Sequence, residues 1–341
     1  MPSVADPHNV YASAGAGMLS PAVRADRPLV YVPHNTSGQV WVIDPATFAV
    51  VARYPAGAEV QHVVPSWDMR TLYATDDAGN ALVPFDPRTG LPGRPIPAAA
   101  PYNLYFTPDG RSAVVVAEAL AQLLWYDPHT WQHQHTLDLP ECAGIDHADF
   151  SADGRTAVFT AEFSGRVAVV DIPSRSLVRV VDMPQRHTHM GPQDIRLAPD
   201  GSAYYIADSD AGGLWVLDGA ATGVRRFIAT GAGAHGLYYS RDAARLFVSN
   251  RLEGSISVLD SYTGAPLAKW RIPGGGSPDM GNLNADGSQL WLSGRYDAAA
   301  YVIDTRDGTL IRKIPVDAQP HGLCVWPQPG RYCLGHTGIT R

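Results

Sequence analysis

The residues with the most chemistry in them are the histidines, twelve in a chain of 341. His187 and His189 stand one residue apart in Arg186-His-Thr-His-Met-Gly-Pro-Gln-Asp194. In an extended chain side chains alternate, so both imidazoles fall on one side. His62, His147, His235 and His321 occupy similar positions at the entry to strand-like runs. Neutral imidazole suits copper, iron, nickel and zinc, and carboxylates complete such a shell. A metal needs three or four donors at one point, so these residues matter only if the fold gathers them. Any one of them, alone, reads as a structural group that bridges neighbours and holds water. Asp146 precedes His147, and Glu118 and Glu162 each follow an alanine at the end of a β-rich run. A carboxylate beside an imidazole fixes its tautomer or exchanges a proton with it; Asp146 as a turn cap is the plain alternative. Arg295 reads as an ion-pair partner of Asp279, with a clamp on a substrate carboxylate as the other reading.

Whether these side chains meet depends on the repeat that carries them. A short apolar run ending in Asp recurs at Asp44, Asp86, Asp127, Asp171, Asp218, Asp260 and Asp304, at intervals of 41 to 47 residues. A turn phrase precedes it, as in Thr107-Pro-Asp-Gly110, Ser151-Ala-Asp-Gly154 and Ala198-Pro-Asp-Gly201. These are turn residues, with Gly supplying positive φ. Each unit resolves into four short strands, exemplified by Gly236–Tyr239 (A), Leu246–Val248 (B), Ile256–Leu259 (C) and Ala268–Arg271 (D). Four strands every forty-odd residues, repeated about seven times, predict an all-β, seven-bladed β-propeller of antiparallel blades. A tandem pair of β-sandwiches would not give so regular a repeat. Residues 25–341 form this single domain and residues 1–24 a tail, with Met18–Pro21 as a rival A strand. The C-terminal Gly322–Trp326 supplies an A strand, and Arg331–Leu334 a candidate B strand, to a first blade completed by Leu29–Val32 and its successors. That pairing removes the open edges of the ring.

The strand directions put D-to-A and B-to-C loops on one face, here called the top. His62, His147, His187, His189, His235 and His321 lie in or beside D-to-A loops, and His34 and His336 at the ends of B runs. A strands line the central channel, so their first residues crowd its mouth. Aligning the repeats gives one ring of Gln61, Tyr102, Asp146, Gln193, His235, Asp279 and His321. The next residues form a second ring of His62, Asn103, His147, Asp194, Gly236, Met280 and Gly322. Asp76, Glu118, Glu162, Asp208 and Asn250 at the B-strand ends add to a polar funnel.

The phrases Phe247-Val-Ser-Asn250 and Val258-Leu-Asp260, with Ala234-His-Gly-Leu237, resemble the YVTN-type (YncE-like) seven-bladed propellers. The resemblance runs over nearly the whole chain and implies the fold. It implies no single activity, because similar propellers include binding proteins, lactonase-like enzymes, lyases and the propeller of haem d1 proteins.

Bulk properties narrow the classes further. The formal charge of −7 and the absence of basic clusters exclude nucleic acid and anionic membranes as partners. With 45% hydrophobic and 17% charged residues the chain can build a large core. No apolar run reaches the ~18 residues of a membrane span. The N-terminus shows no secretory signal, so the sequence as it stands reads as cytoplasmic, or as secreted or periplasmic if a leader has been removed. Cys142, Cys324 and Cys333 give no disulfide framework. Cys324 and Cys333 read as buried free thiols, with a bridge across a hairpin as the alternative. Nucleophile-elbow, phosphate-loop, His-Glu-x-x-His and covalent-haem motifs are absent.

The resulting expectation is a metal-dependent enzyme acting on a small organic substrate at the channel mouth. The metal is copper or iron, with zinc also fitting, held by a subset of His62, His147, His187, His189, His235 and His321. Oxidative chemistry leads, with Glu162 or Asp146 orienting a ligand or moving a proton. A non-catalytic propeller that binds a ligand or a protein, and a lactonase-like hydrolase or lyase, are the alternatives.

Overall fold

The computed structural model describes residues 2, 4–184, 190–336 and 338–341. Its strands assemble into seven antiparallel sheets arranged as the blades of a propeller. Blade 1 is built from both ends of the chain: strand A is Cys324–Trp326, and B, C and D are Leu29–His34, Gln39–Asp44 and Ala49–Pro55. Tyr31 pairs with Cys324 and Val30 with Val325, so the last strand of the ring closes onto the first. Blades 2 to 7 follow in order, with A strands Val60–Pro65, Asn103–Phe106, Ile145–Phe150, Pro192–Leu197, Ala234–Tyr239 and Pro278–Leu283. In blade 2 the outer strand is broken into two short pieces that pair with the same C strand.

The recurring phrases explain themselves locally. Each Asp that ends a C strand accepts the N–H two or three residues on, as Asp44 does from Ala46, Asp127 from His129 and Asp304 from Arg306. This is an Asx turn, and it starts the C-to-D hairpin. In the A-to-B turns a hydroxyl meets the Asp of the Asp-Gly phrase, at 2.6 Å for both Thr107–Asp109 and Ser151–Asp153. Burial grades outward across each blade. The A strands are buried throughout, whereas D strands such as Ala49–Pro55 alternate between half-buried and exposed. The apolar core lies between adjacent blades, with Tyr105, Trp125, Phe150 and Phe159 joining blades 3 and 4.

The C-terminal segment departs from the sequence reading. Arg331–Leu334 is not a B strand, because Leu29–His34 already fills that place. Instead it runs up the channel from the bottom face and folds back on itself. The Phe106 N–H donates to the Leu334 carbonyl, and the His336 N–H to the Leu104 carbonyl. The return limb pairs Ile339 with Leu334 and Arg341 with Tyr332. Gly335, at φ 120°, and Gly338, at φ 111°, bracket the tip in backbone that favours glycine. The Arg341 guanidinium meets the buried Asp149 carboxylate at 2.7 Å. Tyr11 of the N-terminal segment donates to the same carboxylate at 3.1 Å. The two ends of the chain thus close the bottom of the channel. Met18–Pro21 forms no A strand; Leu19 makes one isolated bridge to Gly330. All three cysteines are buried free thiols.

Candidate metal centre and cavity

The two polar rings sit on one backbone irregularity. Pairing of A with B shifts register between Val60 and Val63, Ile145 and Ala148, Pro192 and Ile195, Ala234 and Leu237, and Pro278 and Gly281. Inside each interval lie the ring residues. A shifted ladder leaves their N–H groups without strand partners, which a buried backbone does not tolerate. A hydroxyl on the neighbouring B strand takes over. Thr75 accepts from His62, Thr160 from His147, Ser249 from Gly236 and Ser293 from Met280. The next blade is bound in a similar way, with Tyr105 Oη accepting the Ala148 N–H and Asp194 the Leu237 N–H.

The rings form two layers. Gln61, Tyr102, Gln193, His235 and His321 line an open cavity of roughly 260 Å³ on the top face, together with Glu118, Glu162, Arg251 and Arg295. One residue further along each strand, His62, Asn103, His147 and Asp194 are buried beneath it. His336, at the tip of the C-terminal hairpin, enters this lower layer from below and is fully buried. The five imidazoles are contiguous. Ring centroids lie 4.7 Å apart for His62–His321, 5.4 Å for both His62–His147 and His62–His336, 4.5 Å for His147–His336 and 6.0 Å for His235–His321. Burial holds all five well below the ordinary histidine range, so they are neutral and carry lone pairs.

Among the described residues, two groups of three place ligand atoms within 4.8 Å of one another: His62, His147 and His336, and His235, Asp279 and His321. Their electrostatics differ. In the upper group Arg251 approaches Asp279 at 3.3 Å, and Arg295 acts on both histidines and on the aspartate. Two guanidinium groups there oppose a cation. In the lower group Arg196, which bears on His147 and His336, is paired with Asp194 at 3.5 Å, and Arg295 bears on His62 alone. The Asn103 carboxamide nitrogen lies 3.0 Å from His147 Nδ1 and 3.2 Å from His336 Nδ1, so both rings turn the same nitrogen to one point. His336 Nε2 faces Asp194 at 3.4 Å, the carboxylate–imidazole pairing that orients metal-binding histidines. Among the described residues His62 has no hydrogen-bond partner on either ring nitrogen, and its neighbour Gly322 is required: a Cβ there would stand 1.9 Å from His62 Nδ1.

Of the residues singled out in the sequence, His62, His147, His235 and His321 come together in this cluster. His187 and His189 lie outside the described residues. Glu162 lines the cavity, bonded to Gln193, and burial raises its pKa. Asp146 does not line it; its Oδ1 accepts from Thr160 at 2.6 Å and from the His147 N–H at 2.8 Å, so it secures the strand that carries His147. Asp279 pairs with Arg251, not with Arg295 as the sequence suggested, because Arg251 reaches it from the B-strand end of the adjacent blade. Asp76, Asp208 and Asn250 do not reach the funnel. Asp76 pins the Ala58 and Glu59 N–H groups, Asp208 the Trp215 indole, and Asn250 the hydroxyls of Ser255 and Ser257. His34 stands apart, with the Asp317 N–H donating to its Nε2. His336 escaped the sequence reading of the ligand set because the repeat places nothing at its position. The only signal was a histidine bracketed by the turn glycines Gly335 and Gly338.

Fold and site define a class: a seven-bladed propeller, sealed at the bottom, with a buried histidine cluster under an open polar cavity. The YNCE-like beta-propeller family model matches residues 198–329. Those residues span the end of the fifth A strand to just past the ring closure, so YNCE-like repeats are present there and the chain is a seven-bladed propeller throughout. No curated protein sequence matches the chain. Solved structures resemble it in fold. Kuenenia stuttgartiensis hydrazine synthase aligns at 17% identity and TM-score 0.66, covering 77% of this chain and 88% of that one. A functionally unknown protein from Desulfotomaculum acetoxidans aligns at 16% and 0.69, covering 87% and 98%. Virginiamycin B lyase from Staphylococcus aureus aligns at 14% and 0.64, covering 78% and 88%. At these identities the likeness concerns architecture alone, and the functions named differ from one another.

Proposed function

We propose that the protein is a metal-dependent enzyme that oxidises a small organic molecule entering the top-face cavity, with dioxygen as the electron acceptor. His62, His147 and His336 hold the metal, copper or iron, with zinc also fitting an all-imidazole set. The observation that carries this reading is His62. It is fully buried against three other imidazoles, and among the described residues both its ring nitrogens lack a hydrogen-bond partner. A buried polar atom left so costs on the order of 1–3 kcal/mol, and a metal bond removes that cost. A bound copper or iron would supply one-electron chemistry and polarise a substrate atom. The chain's own residues do the rest. Asp194 orients His336 through Nε2, which leaves Nδ1 as its ligand atom, and Asn103 sets the rotation of His147. Glu118 and Glu162 stand in the cavity wall as proton carriers, and the C-terminal hairpin excludes water from below.

A second reading is favoured by Glu118, which burial and the neighbouring Glu162 push up to about 8. A carboxyl that keeps its proton at neutral pH suits a general acid, and thus elimination or hydrolysis. Elemental analysis of protein purified without an affinity tag separates the two. Near-stoichiometric copper or iron, lost in a His62→Ala/His147→Ala double variant, is the expected result. Wild-type protein that stays metal-free after incubation with copper and with iron sinks the metal reading and leaves the acid–base one.

A further inference from the structure

The top-face cavity encloses guanidinium N–H groups that its own carboxylates do not satisfy. Arg295 is half-buried, its Nη1 is enclosed, and among the described residues that atom has no hydrogen-bond partner. Arg251 is buried; it gives one N–H to Asp279 at 3.3 Å, and among the described residues its Nε has no hydrogen-bond partner. Two guanidinium groups therefore face a single dedicated carboxylate. Among the described residues neither glutamate in the wall forms an ion pair with them; Glu118 is pushed up to about 8, and Glu162 is bonded to Gln193. Enclosed guanidinium N–H groups without acceptors are costly, and a planar two-oxygen anion is their natural complement.

Resting on the reading of this cavity as the substrate site, we propose that the substrate is a small monocarboxylate whose carboxylate is clasped by Arg295, with Arg251 beside it, and whose apolar body lies against Phe163 and Tyr296. Two features select a carboxylate over a phosphate. A dianion would meet stronger repulsion than a monoanion from whatever charge Glu118 and Glu162 carry in the same wall. The mouth also offers apolar contact, with Phe163 at 42% and Tyr296 at 57% exposure. The volume of roughly 260 Å³ suits a single small molecule rather than a polymer segment.

Calorimetric titration tests this on full-length protein, chelator-stripped and copper-loaded in parallel. The probes are acetate, hexanoate and benzoate, the neutral hexanamide and benzamide, and inorganic phosphate. Hexanoate or benzoate should bind at least ten-fold more tightly than its own amide in both preparations, and more tightly than phosphate. Arg295→Gln should remove that preference and Arg295→Lys should keep part of it, in variants whose circular dichroism matches the wild type. Acid and amide binding equally, phosphate binding best, none of the carboxylates binding, or an Arg295→Gln variant that keeps the preference would each overturn the proposal. The wild-type comparison decides even if both variants misfold. Carboxylate preference in a protein that takes up no metal would leave this inference standing while the oxidative function falls. Metal uptake without the preference would do the reverse.

Discussion

Glu118 shows how one residue couples the cavity to stability. It closes strand B of blade 3, and burial with repulsion from Glu162, Asp77 and Glu59 outweighs Arg295 to push its pKa up to about 8. An acid whose folded pKa is raised binds its proton more tightly folded than unfolded. Stability is therefore highest below the unfolded value and falls as pH rises toward about 8, where the buried carboxylate must ionise. Glu118→Gln removes that loss. The variant should match wild type near pH 4.5 and exceed it by about 2 kcal/mol at pH 8.5, less than the full shift converts to because the side chain is partly exposed. Urea denaturation at the two pH values reads the difference, and a pH-independent gap contradicts it. The placement of Glu118 at a B-strand end was legible from the repeat. Its proton affinity was not, because that depends on Glu162 and Asp77 arriving from other blades.

At the scale of the element, the C-terminal hairpin is the part that sequence periodicity misassigned. Cys333 and Leu334 sit in an apolar run that reads as a strand, and their backbone does pair, but with the channel wall and with the returning limb. Two separable effects follow. His336→Gln keeps the hairpin, so stability should change by no more than about 1 kcal/mol, while metal affinity drops at least about ten-fold. Ending the chain at Gly330 also removes Arg341 from the buried Asp149, which should cost about 3–5 kcal/mol and expose the channel from below. Denaturation and a competition titration with a metal-binding dye measure both. A His336→Gln protein that holds metal as tightly as wild type would place the site in the upper group instead. The A strands teach the opposite lesson. Thr75, Thr160, Ser249 and Ser293 near the ends of B runs are visible in the sequence, yet their role as acceptors for shifted backbone appears only once A lies beside B.

Across the whole molecule, the proposed ligands come from blade 2, blade 4 and the hairpin, so a bound metal ties distant parts of the ring together. Unfolding must release it. At a free metal concentration 100 times its dissociation constant, the native state should gain about 2.7 kcal/mol. That should move the entire melting transition up by several degrees rather than split it, and chelation should reverse the shift. A metal-dependent change confined to a minor early transition would argue against a site that spans the ring. The architecture is legible in the repeat: the recurring Asp and Asp-Gly turns set blade length, and the first and last strands share a blade because a ring leaves no free edges. The sequence by itself also determined that His62, His147, His235 and His321 fall at the channel, since equivalent positions in a repeat occupy equivalent places around an axis. The tertiary structure decided what periodicity cannot encode. Arg251 rather than Arg295 takes Asp279, Asp146 serves the strand rather than the cavity, and a non-repeating tail brings His336 to His62. Those outcomes depend on distances between residues far apart in the chain, which are set by packing around the axis rather than by local pattern.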